Sequence, residues 1–128
     1  MAKELTVSMP NKPGQLAALA DALGKAGVNI QALSAATAGG KGIIRVVPSD
    51  PGKAKRALKA AKIRVSGERD VLEIRLSNKP GALARVAKRL GKAKVNIDSA
   101  YLLSADRRRA VAAIGVRNMR AAKKALGR

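Results

Sequence analysis

Residues 11–30 read NKPGQLAALADALGKAGVNI, and residues 78–97 read NKPGALARVAKRLGKAKVNI. Asn11-Lys12-Pro13-Gly14 returns as Asn78-Lys79-Pro80-Gly81, and Val28-Asn29-Ile30 returns as Val95-Asn96-Ile97, both displaced by 67 residues. Self-similarity at a fixed spacing marks a duplicated unit, so the chain reads as two copies of one module. The match reaches back to Leu5 and Leu72 and loosens later, where Ile43-Ile44-Arg45-Val46-Val47 lies opposite Ala110-Val111-Ala112-Ala113-Ile114. The last helix of the second copy then falls one position late.

Within one copy the hydrophobic period switches in a fixed order. Leu5, Val7 and Met9 alternate with Glu4, Thr6 and Ser8, the pattern of a half-buried strand that ends at Pro10. Pro13 suits the first position of a helix, where Leu16, Leu19 and Leu23 with Ala20 form an apolar stripe. Gly27 is placed as a left-handed cap, and Lys94 stands in its place in the second copy, where the cap must be less relaxed.

Val28 to Thr37 and Gly42 to Val47 then read as a strand hairpin turning at Ala38-Gly39-Gly40. Asp50-Pro51 opens a second helix whose stripe is Ala54, Ala57, Leu58 and Ala61, and Ile63-Arg64-Val65 is expected as a fourth strand. The second copy is predicted to carry strands near 70–76, 95–104 and 109–116 and helices near 81–93 and 118–126, with no fourth strand before Arg128. Its first strand would thus lack a neighbour, and a hairpin through Ser66-Gly67-Glu68-Arg69 could let 62–65 cover 71–76. The expected units are residues 1–66 and 67–128, the second truncated after its second helix.

This order of elements, with Asn-Lys-Pro-Gly after the first strand and Val-Asn-Ile opening the second, resembles the ACT domain. Both copies carry it, and the arrangement is similar to stand-alone tandem-ACT proteins that contain no catalytic domain. The resemblance implies an α+β class fold, a ferredoxin-like βαββαβ sandwich in two tandem repeats. It also implies a regulatory protein that binds a free amino acid or similar small carboxylate effector where two units pair. Ligand contacts then fall on Asn11, Lys12, Pro13, Gly14, Gln15 and Leu16, and on Asn78, Lys79, Pro80, Gly81, Ala82 and Leu83. Asn29 with Ile30, and Asn96 with Ile97, are implied to lie near the effector.

Elementary chemistry agrees with that placement. A helix start offers unpaired N–H groups and the positive end of the helix dipole, which suit a carboxylate, and a glycine there leaves room for close approach. The same four residues are also ordinary turn formers, a reading that stays open beside the first. Gln15 against Ala82 makes the two candidate sites unequal.

Composition narrows the function classes. The chain has 128 residues with no Cys and no His, which removes thiolate chemistry, sulfur-built zinc sites and the usual neutral-pH base. Eight carboxylates are scattered over strands, caps and turns without metal or acid/base spacing. Gly39-Gly40-Lys41-Gly42 lacks the form of a phosphate loop and joins two strands. No catalytic residue, metal or cofactor is expected. With no signal-peptide pattern and no apolar run long enough for a span, the expected location is the cytoplasm. Modules this small bury limited surface, so a homodimer is expected, and the resemblance adds an unidentified regulated enzyme as its partner.

The formal charge of +19 supports a rival. Lys53, Lys55, Arg56 and Lys59, then Arg85, Lys88, Arg89 and Lys92, then Arg120, Lys123 and Lys124 place cations on three helices, a footprint suited to nucleic acid. With Tyr101 as the single aromatic side chain there is no stacking platform, and nucleic-acid binding is the less favoured reading.

Overall fold

The protein is described from a computed structural model over residues 2–128. Met1, where the first predicted unit begins, lies outside the described residues. Two compact units are present, Ala2–Glu68 and Arg69–Arg128.

In the first unit, β1 (Lys3–Pro10), α1 (Gln15–Lys25), β2 (Ile30–Ala38), β3 (Lys41–Pro48) and α2 (Pro51–Ala60) lead into β4 (Val65–Ser77). The strand order is β2-β3-β1-β4, with β3 antiparallel to both β1 and β2. Alternation along β1 sends Leu5, Val7 and Met9 to one face, where they meet Leu19, Leu23, Ile44, Val46 and Leu58. Each fully buried leucine of this cluster contributes about 1.5–3 kcal/mol relative to exposure. Gly39 and Gly40, both at positive φ, make the two-residue turn between β2 and β3.

The second unit takes the rest of β4, then α3 (Ala82–Lys92), β5 (Ile97–Ala105), β6 (Arg109–Val116) and α4 (Met119–Ala125). Its order is β4-β6-β5, so the expected absence of a fourth strand holds among the described residues. Leu72, Ile74, Leu90, Val95, Ile114, Val116 and Ala122 form its core.

The slip in the sequence repeat has a local cause. Leu102 pairs with Ala112 while Ser104 pairs with Val111, which leaves Leu103 as an unpaired extra residue in a β-bulge. Positions before it match the first copy at a displacement of 67 and positions after it at 68, so the caps Asp50 and Asn118 correspond. The bulge absorbs the insertion, because a one-residue slip in a flat ladder would turn every later side chain to the wrong face.

Several expectations are corrected. Pro13 and Pro80 lie outside the helices, because Gly14 at φ 90 and Gly81 at φ 86 cannot be helical and stand as N-caps instead. The segment 66–69 is no hairpin: none of its residues takes the positive φ a tight turn needs, and β4 runs as one strand from Val65 to Ser77. Residues 62–65 therefore cannot fold back over 71–76, and Ile63-Arg64 precede the strand that was expected to contain them. Leu16, Ala20 and Ala61 are exposed, outside the stripes assigned to them. Lys94 sits at φ 58, the strained cap anticipated there, and Lys62 at φ 60 is a second such cap after α2.

Candidate functional site

The four helices of the described residues start in two ways. Asp50 accepts a hydrogen bond from the Lys53 backbone N–H at 3.0 Å, and Asn118 accepts one from the Ala121 N–H at 3.0 Å, so α2 and α4 are capped by side chains. In contrast, α1 and α3 start at Gly14 and Gly81 with no side-chain cap. Pro13-Gly14 and Pro80-Gly81 have the residue order of a type II turn, with the glycine supplying positive φ at its third position. In the second copy the turn is closed by Ala82 N–H donating to Lys79 O at 3.2 Å. Gly14 O and Gly81 O accept the first helical bonds, from Ala18 and Arg85. Apart from that of Ala82, the N–H groups between are left for a ligand or solvent.

A cavity adjoins each of these starts. The first, of 190 Å³, is lined by Met9, Asn11, Lys12, Gln15, Leu16 and Ile44, together with the β2 residues Ala35, Ala36 and Thr37. The second, of 300 Å³, is lined by Leu76, Asn78, Lys79, Ala82, Leu83 and Leu102, with Ala100, Tyr101, Ala110, Ala112 and Ile114 behind them. Register explains why these segments meet: Pro10 pairs with Lys41 and Ser77 with Arg109, so each first-strand exit lies beside its unit's hairpin. Asn11 N–H donates to Gly40 O at 3.3 Å and Asn78 N–H to Arg108 O at 2.8 Å, tying loop to hairpin.

The two asparagine side chains differ. The Asn78 carboxamide donates to Asp106 O, which fixes the amide and leaves its oxygen as an acceptor. Asn11 has no such side-chain bond among the described residues. Asp106 in turn accepts from the Arg108 and Arg109 N–H groups, both at 2.8 Å. These backbone bonds, Arg109 first and Arg108 second, hold its carboxyl below the usual carboxylate range.

The candidate residues divide by position. Asn11, Lys12, Gln15 and Leu16 line the first cavity, with Pro13 and Gly14 in the turn beside it. Asn78, Lys79, Ala82 and Leu83 line the second, with Pro80 and Gly81 in its turn. Asn29 and Ile30 are not brought to the first cavity: Ile30 pairs with Pro48 at the far end of β2 from the hairpin and packs on the core. Asn96 and Ile97 are placed likewise, with the Asn96 amide donating to Asp98 Oδ1 at 2.9 Å and Ile97 opposite Val116. Residues 35–37 and 100–102 were missed as wall residues.

Among the described residues no group of three or more His, Cys, Asp or Glu side chains is placed to hold a metal ion. Among the described residues no helix is long and apolar enough to cross a membrane. Arg85, Lys88, Arg89 and Lys92 are all exposed on α3.

No curated protein matches the sequence. Among solved structures, a protein from Bacteroides thetaiotaomicron is 36% identical with a TM-score of 0.88, covering 98% of this chain and 86% of that one. The regulatory subunit of aspartate kinase from Thermus thermophilus is 20% identical with a TM-score of 0.71, covering 98% and 89%. That from Thermus flavus is 19% identical with a TM-score of 0.67, covering 98% and 90%. The family described as the ACT domain pair matches residues 1–120. Helices opening on paired glycine turns, two ferredoxin-like units and this match lead to one conclusion: the chain belongs to the ACT domain pair family.

Proposed function

We propose that this chain is a non-catalytic regulatory protein that binds an amino acid or a similar small carboxylate at the starts of α1 and α3. One observation carries the reading. The two helices that open beside cavities are the two left without side-chain caps, while α2 and α4 are capped. Their free N–H groups suit an α-carboxylate, and the Asn11 and Asn78 side chains are at hand for the ammonium. In this reading Lys12, Pro13, Gly14, Gln15 and Leu16 complete the first site. Lys79, Pro80, Gly81, Ala82 and Leu83 complete the second. Asn29, Ile30, Asn96 and Ile97 serve packing and strand alignment.

The exposed leucines support a homodimer. Leu16 and Leu33 in the first unit, at 44% and 39% exposure, and Leu83 and Leu102 in the second, at 56% and 67%, lie on the first-turn and edge-strand surfaces. Covering them with a second copy would also close the cavities from outside. The similar Thermus protein is named as the regulatory subunit of aspartate kinase, and a regulated enzyme in the cytoplasm is the partner we infer here.

The test is a set of thermal melts with each of the twenty amino acids. A ligand bound only by the folded state at 100-fold its Kd adds about 2.7 kcal/mol by mass action, so a true effector raises the Tm by several degrees. No rise with any amino acid would remove the reading. The exposed cations of α3 favour nucleic acid as a second reading. Retention of nucleic acid that falls steeply with salt, with no amino-acid response, would replace the first by the second.

A further inference from the structure

We propose that the two sites differ in ligand class: the second-unit cavity selects an α-amino acid with a large apolar side chain, whereas the first takes a small or polar one. The inference rests on the ligand-binding reading above and adds the side-chain specificity.

The two sites can be aligned residue by residue through the strand registers. Met9 pairs with Gly42 and Leu76 with Ala110, so Gly42 and Ala110 correspond. By the same ladders Ile44 corresponds to Ala112, which pairs with Ile74 as Ile44 pairs with Val7. Ala35, opposite Ile44, corresponds to Leu102, opposite Ala112. On the helix side Gln15 corresponds to Ala82.

These exchanges act together. Gln15 and Ile44 line the first cavity, and their counterparts in the lining of the second, Ala82 and Ala112, are both alanine. The cavity grows from 190 to 300 Å³. Its sheet wall becomes Leu76, Ala110, Ala112 and Ile114, with Leu102 at the rim, and its polar lining groups are Ser77, Asn78 and Lys79 at the strand exit and Tyr101 on β5. The first cavity keeps Gln15 and Thr37 as polar wall groups. Where the sheet wall is apolar it favours an apolar occupant, and a polar side chain laid against it loses hydration without gaining partners there.

The polar end of the second site remains equipped to hold the common part of any α-amino acid. The Asn78 carboxamide is fixed by Asp106 O and presents its oxygen as an acceptor, and the Leu83 and Ala84 N–H groups open the helix. The anchor is thus retained while the side-chain space changes.

The experiment is calorimetric titration of the full chain with leucine, isoleucine, methionine and phenylalanine, and with serine, threonine, asparagine and aspartate. The Ala82→Gln/Ala112→Ile double variant, which rebuilds the first site's filling groups in the second, is titrated alongside. The expected result is that an apolar ligand loses about tenfold or more in affinity in the double variant, the order of a pocket contact, while a polar ligand's affinity stays within about twofold. The Ala82→Gln single variant serves if the double variant does not fold. Gln15→Ala should move the first site the other way, weakening its polar ligand. Apolar binding unchanged in the double variant, or binding of polar amino acids alone, overturns this inference and leaves the ligand-binding reading standing. Absence of heat with every amino acid overturns both.

Discussion

The first unit packs eleven buried residues into its core and the second packs seven. Leu19, fully buried on α1, corresponds to Val86, only partly buried on α3, and the buried Leu58 corresponds to the partly buried Leu126. Ile44 becomes Ala112, which both thins the core and widens the cavity. The same backbone, duplicated, thus divides its apolar volume differently: the first copy spends it on packing and the second leaves part of it as space.

The largest effect that tests this contrast comes from matched truncations. Leu23 and Leu90 are equivalent and both fully buried. Leu23→Ala and Leu90→Ala should each cost about 2–5 kcal/mol in denaturant unfolding, with Leu23→Ala at the upper end. The reason is that the fuller core holds its walls in place, while neighbours of Leu90 can relax toward existing space. Equal costs would break the contrast.

A smaller effect separates structural from ligand-facing helix starts. Asp50→Ala and Asn118→Ala remove caps and should cost about 0.5–2 kcal/mol, with amino-acid binding retained. Gly14→Ala and Gly81→Ala force a side chain into left-handed backbone, at about 1–2 kcal/mol each, and should abolish binding at the altered site alone. A Cβ at Gly14 meets nothing within 4 Å, so the penalty there is conformational and not a clash. Melts in the presence and absence of ligand distinguish the two groups. The contrast fails if cap and glycine variants respond alike.

The smallest effect lies in the hairpins. The first turns on Gly39-Gly40 and the second on Asp106, whose carboxylate accepts two backbone bonds. Because the folded pKa of Asp106 is lowered, its stabilising contribution is complete above the ordinary carboxyl value of 3.8 and is lost as pH falls through the lower folded value. The protection of the Arg108 and Arg109 amides, measured against their intrinsic exchange rates at each pH, should fall in acid, while amides around Gly39 and Gly40 show no matching step. Asp106→Asn should keep an acceptor and lose the acid step.

Much of this is legible in the sequence. The duplicated Asn-Lys-Pro-Gly and the alternation of Leu5, Val7 and Met9 located the strands, and Asp50-Pro51 located a capped helix, because each signal is local. What escaped depends on partners distant in sequence. Ser66 to Arg69 looked like a turn by length, but its extended form is held by contacts such as Ser66 Oγ donating to Thr6 O at 3.2 Å. Leu16 and Leu83 fit the helical stripe yet rim the cavities, since a period specifies a face and not where that face ends. The walls supplied by residues 35–37 and 100–102 follow from hairpin register, which no single strand encodes.

Leu103 has a consequence for anyone exchanging parts between the halves. A segment lifted from the first copy and set into the second by simple counting will graft cleanly up to Leu102. Past that point it arrives out of phase, with inward and outward side chains reversed. The ladder tolerates the insertion at one place, and that place is where the numbering of any chimera must be stepped.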